Sequence, residues 1–295
     1  MSELNIIWNP VAGNGAANAA FQRVCAVLES RGVPFRAAMS EYPGHVTKLA
    51  IEAASRGASR VAVLGGDGTV REAATALAGT ETALGIVPCG TGNDLVRALG
   101  IPKDTDRALE ILLKGHVRKM DAAMANDEIY FNVAGFGFDV DVLDATEKYK
   151  DKYKNGSIAY LRGLMDCILH LDLRKTKITW PEGSMEKDVL ILVAGNGTHI
   201  GGGMNITPGA DPFDGLLNVC VIHDVKRRHI PTLLPKFLSG KHIGNPRVTY
   251  FRTTELTAEC SPHSRIEVDG EVMEGTPVTF RVLPGKLNVI VPEQN

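Results

Sequence analysis

Along the first part of the chain, compact apolar runs alternate with stretches where apolar positions recur every three or four residues. Residues 4–8, 60–64 and 83–87 are short runs rich in aliphatic and β-branched side chains, the pattern of strands buried on both faces of a parallel sheet. Residues 34–39 read as a further strand. Between these runs the spacing becomes helical. Ala17, Phe21, Val24 and Leu28 share one face before Gly32, residues 47–54 keep the same period up to Gly57, and Val70, Ala73, Ala74 and Leu77 precede Gly79. A glycine just past the last periodic residue ends a helix by adopting the left-handed conformation. A short helix through Leu95, Val96 and Leu99 stops at Gly100 and Pro102. Asp104 or Thr105 then caps another, with Ala108, Leu109 and Leu112 inward and Gly115 at its end. Strands and helices alternating at this spacing predict a doubly wound α/β region with a parallel sheet.

Beyond about Asp121 the texture changes. Residues 128–133, 177–180, 189–193, 216–222, 255–258, 265–268 and 278–282 are strand-like and separated by turn signals such as Asp214-Gly215 and Asp269-Gly270. This half reads as a mainly antiparallel β-sandwich. Residues 157–173 interrupt it with an apolar, helical stretch, preceded by a basic run dotted with tyrosines: Lys148, Tyr149, Lys150, Lys152, Tyr153 and Lys154. A solvated face beside a core helix explains that run, and so does docking on an anionic lipid surface. The expected division is an α/β domain over 1–122, a sandwich over 123–284, and a C-terminal segment, 285–295, returning to the first domain.

Composition adds mainly exclusions. The 295 residues are 44% hydrophobic and 22% charged, with a formal net charge of -2, which gives no basic footprint for nucleic acid. Five scattered cysteines with no C-x-x-C pair argue against a disulfide framework or a zinc site and for a reducing compartment. The N-terminus lacks signal-peptide character, and no apolar run approaches the ~20 residues needed to span a bilayer. The expectation is a cytoplasmic protein, able to work peripherally at the inner membrane face.

The chemistry gathers in three glycine-rich turns, each after a predicted strand: Asn9-Pro10-Val11-Ala12-Gly13-Asn14-Gly15, Gly65-Gly66-Asp67-Gly68-Thr69, and Cys89-Gly90-Thr91-Gly92-Asn93-Asp94. Strand C-terminal ends form the ligand-binding edge of such sheets. Glycines there let main-chain N–H groups approach a phosphate, and a helix start adds a positive dipole end. The same glycines would also serve a merely tight strand–helix connection. Several chemistries are unsupported: there is no G-x-x-x-x-G-K-[ST] loop, H-E-x-x-H or G-x-S-x-G elbow, and the first turn is not in the dinucleotide-binding register.

Gly65-Gly66-Asp67-Gly68-Thr69 with Glu72 resembles the signature shared by the diacylglycerol kinase catalytic-domain family, sphingosine kinases and NAD kinases. Further stretches in the same order favour the lipid-kinase branch: Asn9-Pro10 with Gly13; Pro88 to Asp94 leading to Ala98-Leu99-Gly100-Ile101-Pro102; Gly195-Asn196-Gly197 with Gly201-Gly202-Gly203, Pro208, Ala210 and Asp214-Gly215-Leu216; and Val268-Asp269-Gly270-Glu271. The resemblance spans nearly the whole chain. It implies an NAD-kinase-like fold and an ATP- and Mg²⁺-dependent lipid kinase acting on a hydroxyl of a diacylglycerol-like or related lipid at a membrane surface. A homodimer is one candidate assembly.

Residue by residue, the resemblance implies ATP contacts at Asn9, Pro10, Val11, Ala12, Gly13, Ser40, Gly66, Asp67, Gly68, Thr69, Val70, Arg71, Glu72 and Thr91. It implies a structural Mg²⁺ on the Asp214 carboxylate with main-chain carbonyls of Asp211 and Leu216, and a charged network at Arg97 and Asp121. A proton acceptor is implied within Asp269-Gly270-Glu271, with Asp269 and Glu271 both open. Asp214-Gly215 and Asp269-Gly270 also read as plain turns. Asn14 replaces the basic residue usual in relatives after the first turn, and Arg71 replaces the more usual Asn before Glu72. An NAD kinase, or a nucleotide- or lipid-binding protein without turnover, are the alternatives.

Overall fold

The computed structural model describes residues 3–150, 153 and 156–293. Its first part runs β1 (Leu4–Trp8), α1 (Ala16–Ser30), β2 (Phe35–Met39), α2 (His45–Ser55), β3 (Arg60–Gly65), α3 (Asp67–Leu77), β4 (Ala83–Pro88), α4 (Asp94–Ala98) and α5 (Thr105–Lys114). The strands lie parallel in the order β2-β1-β3-β4, with Ile6 opposite both Ala37 and Ala62. Helices pack in pairs, α1 with α5 and α2 with α3. With helices above and below, Val61 to Leu64 of β3 are fully buried, which is why this strand carries no polar alternation. α1 docks through Ala17, Ala20, Val24 and Leu28. Burying Val24 and Leu28 contributes about 1.5–3 kcal/mol each. Asp104 caps α5 by accepting the Arg107 N–H at 2.9 Å.

The second part runs β5 (His116–Ala125), β6 (Glu128–Tyr130), β7 (Val133–Gly137), α6 (Phe138–Lys150), α7 (Gly156–Leu169), β8 (Arg174–Trp180), β9 (Gly183–Gly195), β10 (His199–Ile200), β11 (Met204–Asn205), β12 (Leu217–His223), α8 (Ile230–Leu238), β13 (Val248–Thr253), β14 (Glu255–Ser261), β15 (Ile266–Val268), β16 (Glu271–Met273) and β17 (Val278–Val291). Its pairings are antiparallel except where β17 meets β4. Along β9, Leu192 and Ala194 enter one apolar cluster while Ile191 and Val193 enter another, so successive side chains bury on opposite faces. β17 joins the halves. It pairs with β14 and β5, shifts register between Leu283 and Leu287, and then sets Val289 parallel to Leu84 of β4. Leu287 and Val289 to Val291 thereby complete the core of the α/β part.

Three stretches differ from the sequence pattern. The run at 128–133 is broken, because the N–H groups of Phe131 and Asn132 turn to the Asp269 carboxylate instead of continuing a ladder. The apolar helix ends at Leu169, and a partner, α6, packs against it. Gly163 lets them approach: a Cβ there would stand 2.8 Å from the Thr146 nitrogen. Of the basic run, Lys148 is exposed on α6, whereas Lys152, Lys154 and the side chain of Lys150 lie outside the described residues.

Candidate functional site

The three glycine turns meet at the C-terminal edge of the parallel strands. Asn9 Nδ2 donates to Thr69 Oγ1 at 3.1 Å, tying the first turn to the second. Asn9 Oδ1 accepts from Val11 N–H, and Gly13 and Asn14 adopt left-handed conformations. A Cβ on Gly13 would overlap the Cys89 carbonyl, and one on Gly90 would overlap the Gly66 Cα. The turns touch backbone to backbone, which only glycine permits here. Gly68, by contrast, faces open space at the start of α3, leaving its main chain accessible.

Asp67 performs a task its sequence position did not announce. Its carboxylate accepts the N–H groups of Asn93 and Asp94, each at 2.7 Å, and so fixes the third turn from the second. Glu72 points elsewhere, to the start of α2, where it accepts Gly44 N–H at 3.1 Å and Thr47 N–H at 3.4 Å. That places a negative charge at a positive helix end. Ser40 is buried beside β1, its N–H bonded to the Trp8 carbonyl. Pro10 accepts from Asn18, Val11 projects into solvent, Ala12 N–H returns to the Asn9 carbonyl, and Val70 packs into the core. Thr91 is exposed at the outer lip, with Lys103 Nζ 3.5 Å from its carbonyl.

Facing this edge is the β15–β16 hairpin. Asp269 and Gly270 form its two-residue turn, both with positive φ (48° and 93°), as a type I′ turn requires. The turn does more than reverse the chain. The Asp269 carboxylate accepts Phe131 N–H at 2.7 Å and the N–H groups of Asn132 and Val133 at 3.0 Å. Burial raises its pKa to about 6, against the opposing pull of those three N–H donors and of Arg71. Glu271 is largely exposed, and its Oε1 lies 2.5 Å from Arg71 Nη1, an ion pair from α3 across to the hairpin.

Between the two walls lies a cavity of about 210 Å³, lined by Asp67, Arg71, Gly92, Asp94 and Leu95 from one side and Phe131, Asn132, Val133, Ile200, Gly201, Gly202, Glu267, Asp269 and Gly270 from the other. Asp94 stitches the walls together, its Oδ2 accepting Gly202 N–H at 2.8 Å. Burial raises its pKa and the neighbouring Asp67 adds to the shift, against the Gly202 N–H and Arg97. Asp94, Asn132 and Glu267 are cavity residues that the sequence did not single out as site residues. The available signal for Glu267 was a carboxylate inside an apolar strand, two positions before the turn residue Asp269.

Arg97 and Asp121 belong to separate networks. Arg97 lies 3.6 Å from Asp94 and reaches the Gly92 and Gly202 carbonyls at 3.4 Å. Asp121 is buried and accepts the N–H groups of Gly215 and Gly285, each at 2.7 Å. It thus steadies the loop at 211–216, which lies outside the cavity lining. In that loop Asp214 Oδ1 accepts Leu216 N–H at 3.0 Å, while Oδ2 meets Arg252. Burial raises the Asp214 pKa, and Asp211 and Asp121 add to the rise. Among the described residues no group of three or more His, Cys, Asp or Glu forms a metal cage. A single carboxylate with main-chain carbonyls and a local surplus of negative charge suits Mg²⁺, which binds hard oxygens and keeps several waters. Arg252 shares that carboxylate.

Comparison with known proteins covers both halves. A model described as the diacylglycerol kinase catalytic domain matches residues 3–125, and one described as the YegS C-terminal NAD kinase beta sandwich-like domain matches residues 132–291. A diacylglycerol kinase of Mycobacterium tuberculosis (strain H37Rv) is 30% identical over 99% of this chain and 96% of its own. One of Bacillus subtilis (strain 168) is 25% identical over 100% and 98%. A protein from Bacillus anthracis str. Sterne, solved as a candidate diacylglycerol kinase, superposes with a TM-score of 0.79 at 27% identity, covering 98% of this chain and 97% of that one. Among the described residues, no helix is long and apolar enough to cross a membrane.

Proposed function

The chain belongs to the diacylglycerol kinase catalytic-domain family of lipid kinases, and from that premise we propose that it moves the γ-phosphoryl group of ATP onto a hydroxyl of a diacylglycerol-like lipid. One observation carries the reading: a single cavity has Asp67 and Arg71 of α3 on one wall and the Asp269 carboxylate on the other, and the open main chain at Gly68 adjoins Asp67. In this proposal the triphosphate lies along the turns at Asn9–Gly13 and Gly66–Thr69, with the adjoining edge at Ser40 and Thr91 framing the nucleotide. Phosphoryl transfer asks a protein chiefly for positioning and charge stabilisation, which fixed N–H groups supply.

Asp269 is the proposed proton acceptor. The lipid hydroxyl oxygen forms a bond to the γ-phosphorus, the bond from that phosphorus to the β,γ-bridging oxygen breaks, ADP departs, and the hydroxyl proton passes to Asp269. Its place in the cavity and a pKa near 6 support this assignment, since a base works best with a pKa close to the operating pH. Glu271, exposed and engaged by Arg71, is less well placed. Asp214 with the carbonyls of Asp211 and Leu216 is the proposed seat of a structural Mg²⁺. Bound there, it would supply positive charge that holds this acidic loop together.

The division into 1–122, 123–284 and 285–295 is proposed as a nucleotide part, an acceptor part and a closing segment. The lipid is proposed to be met at a membrane surface, on the cytoplasmic side, with a homodimer as candidate assembly. The test is transfer of labelled phosphate from ATP in Mg²⁺ to vesicles containing diacylglycerol, phosphatidylglycerol or a sphingoid base, with NAD as a soluble alternative acceptor. Labelling of diacylglycerol supports the proposal; labelling of NAD alone, or of no acceptor, overturns it.

A further inference from the structure

The cavity poses an electrostatic problem. Four carboxylates line it, from Asp67, Asp94, Glu267 and Asp269, and among its described lining residues Arg71 is the one base. A triphosphate entering such a space needs cationic partners, and the first turn offers Asn14 rather than a lysine or arginine. Arg71 projects from the first turns of α3, next to the open main chain at Gly68. Its side chain is 17% exposed, its Nη1 rests on Glu271, and its Nε is buried with no hydrogen-bond partner. The partner is 66% exposed, so water competes for that carboxylate and the pair is held weakly. A guanidinium keeps five donors in a rigid fork matched to phosphate oxygens, and most of that fork is unspent here.

We propose that Arg71 is the cation this chain supplies to the terminal phosphate of the nucleotide, and that Glu271 holds it at the cleft until the nucleotide draws it away. The inference rests on the ATP reading above and deepens it. It gives Glu271 a role distinct from proton transfer: it parks the guanidinium on the acceptor wall when no phosphate is present. It also accounts for the departure at position 71 together with that at position 14, because positive charge missing from one turn is provided by another element facing the same space. The pull of Arg71 on Asp269 agrees with this geometry, since a guanidinium there acts on both the phosphate and the facing carboxylate.

The experiment compares calorimetric affinities for ADP and for a β,γ-methylene ATP analogue, both with Mg²⁺, in the wild-type protein and in Arg71→Met, Arg71→Lys and Glu271→Gln. Arg71→Met is expected to cut the preference for the triphosphate over the diphosphate by about tenfold to a hundredfold, the range lost with one charge-assisted hydrogen bond. Affinity for ADP should hold, Arg71→Lys should recover part of the preference, and Glu271→Gln should keep or increase it. If Arg71→Met keeps the wild-type preference, or loses both affinities in parallel with an equal drop in melting temperature in Glu271→Gln, Arg71 is only a clasp between the walls and the inference falls while the kinase reading stands. Failure of the wild-type protein to bind either nucleotide removes the ATP reading and this inference with it.

Discussion

On the α/β wall of the cleft, the turns after β1, β3 and β4 come together where glycines leave out side chains, Gly13 against Cys89 and Gly90 against Gly66, and are tied by Asn9 to Thr69 and by Asp67 to Asn93 and Asp94. On the antiparallel wall, the turn after β15 is held by one side chain, the Asp269 carboxylate, which gathers the three N–H groups of Phe131, Asn132 and Val133, where the chain passes from β6 into β7. The first wall presents main-chain donors at fixed positions and has no titratable side chain to spend on contact between turns, except Asp67. The second places a carboxylate whose charge depends on pH. A site for transferring a phosphoryl group to a hydroxyl uses both, because the phosphates ask for rigid donors and the hydroxyl asks for a group that can take a proton. The first wall should therefore be sensitive to added volume as well as to its one bracing carboxylate, and the chemistry of the second wall to the loss of one charge.

The largest effect is expected from Asp269→Asn, which keeps the shape and deletes the charge. Steady-state lipid phosphorylation should fall about 10²–10⁴-fold, the usual range for losing a general base. The pH profile sharpens this. A base must be deprotonated, and because the folded-state pKa is raised to about 6, activity of the wild-type protein should decline as pH falls through about 6. Loss of that acid limb in the residual activity of Asp269→Asn would tie it to this carboxylate, and an unchanged limb would assign it elsewhere.

Gly90→Ala probes the opposite wall. The new Cβ would stand 2.9 Å from Asn93 Oδ1 and also overlap the Gly66 Cα, so the turns must part. A loss of about 1–3 kcal/mol in denaturant unfolding is expected, as for overpacking, together with weakened ATP binding. Retained ATP affinity would break the contrast between the walls. Asp67→Ala should follow at about 1–3 kcal/mol, the cost of leaving buried N–H groups at Asn93 and Asp94 unpaired, read by the same unfolding experiment. Glu72→Ala should cost least, about 0.5–1 kcal/mol, from loss of the negative charge at the start of α2. If Glu72→Ala instead abolishes ATP binding with stability intact, its carboxylate serves the nucleotide rather than the helix.

The α/β half was legible because its signals are local. A strand covered on both faces has to be continuously apolar, as at Val61 to Leu64, and a helix ending at Gly79 or starting at Asp104 declares itself within a few residues. The antiparallel half was legible as a texture and less so in its parts. β5 escaped notice because it alternates on β17 over its first half and is buried over its second, so no single period describes it. The glycine turns were visible as turns, and Asp269-Gly270 as a hairpin that could also carry chemistry.

What the chain determined by itself was thus the order of elements in the α/β part, the antiparallel texture of the rest, and the glycine turns and the turn at Asp269-Gly270, since each is written within a few residues of backbone preference and periodicity. Only the tertiary structure decided which carboxylates brace the turns and which face the cavity, that Asp67 serves Asn93 and Asp94, that Glu72 serves α2, and that Arg71 meets Glu271 from the far end of the sequence. The physical reason is that a charged side chain takes its role from the partner and the burial it finds across the fold, and neither is encoded in the residues beside it.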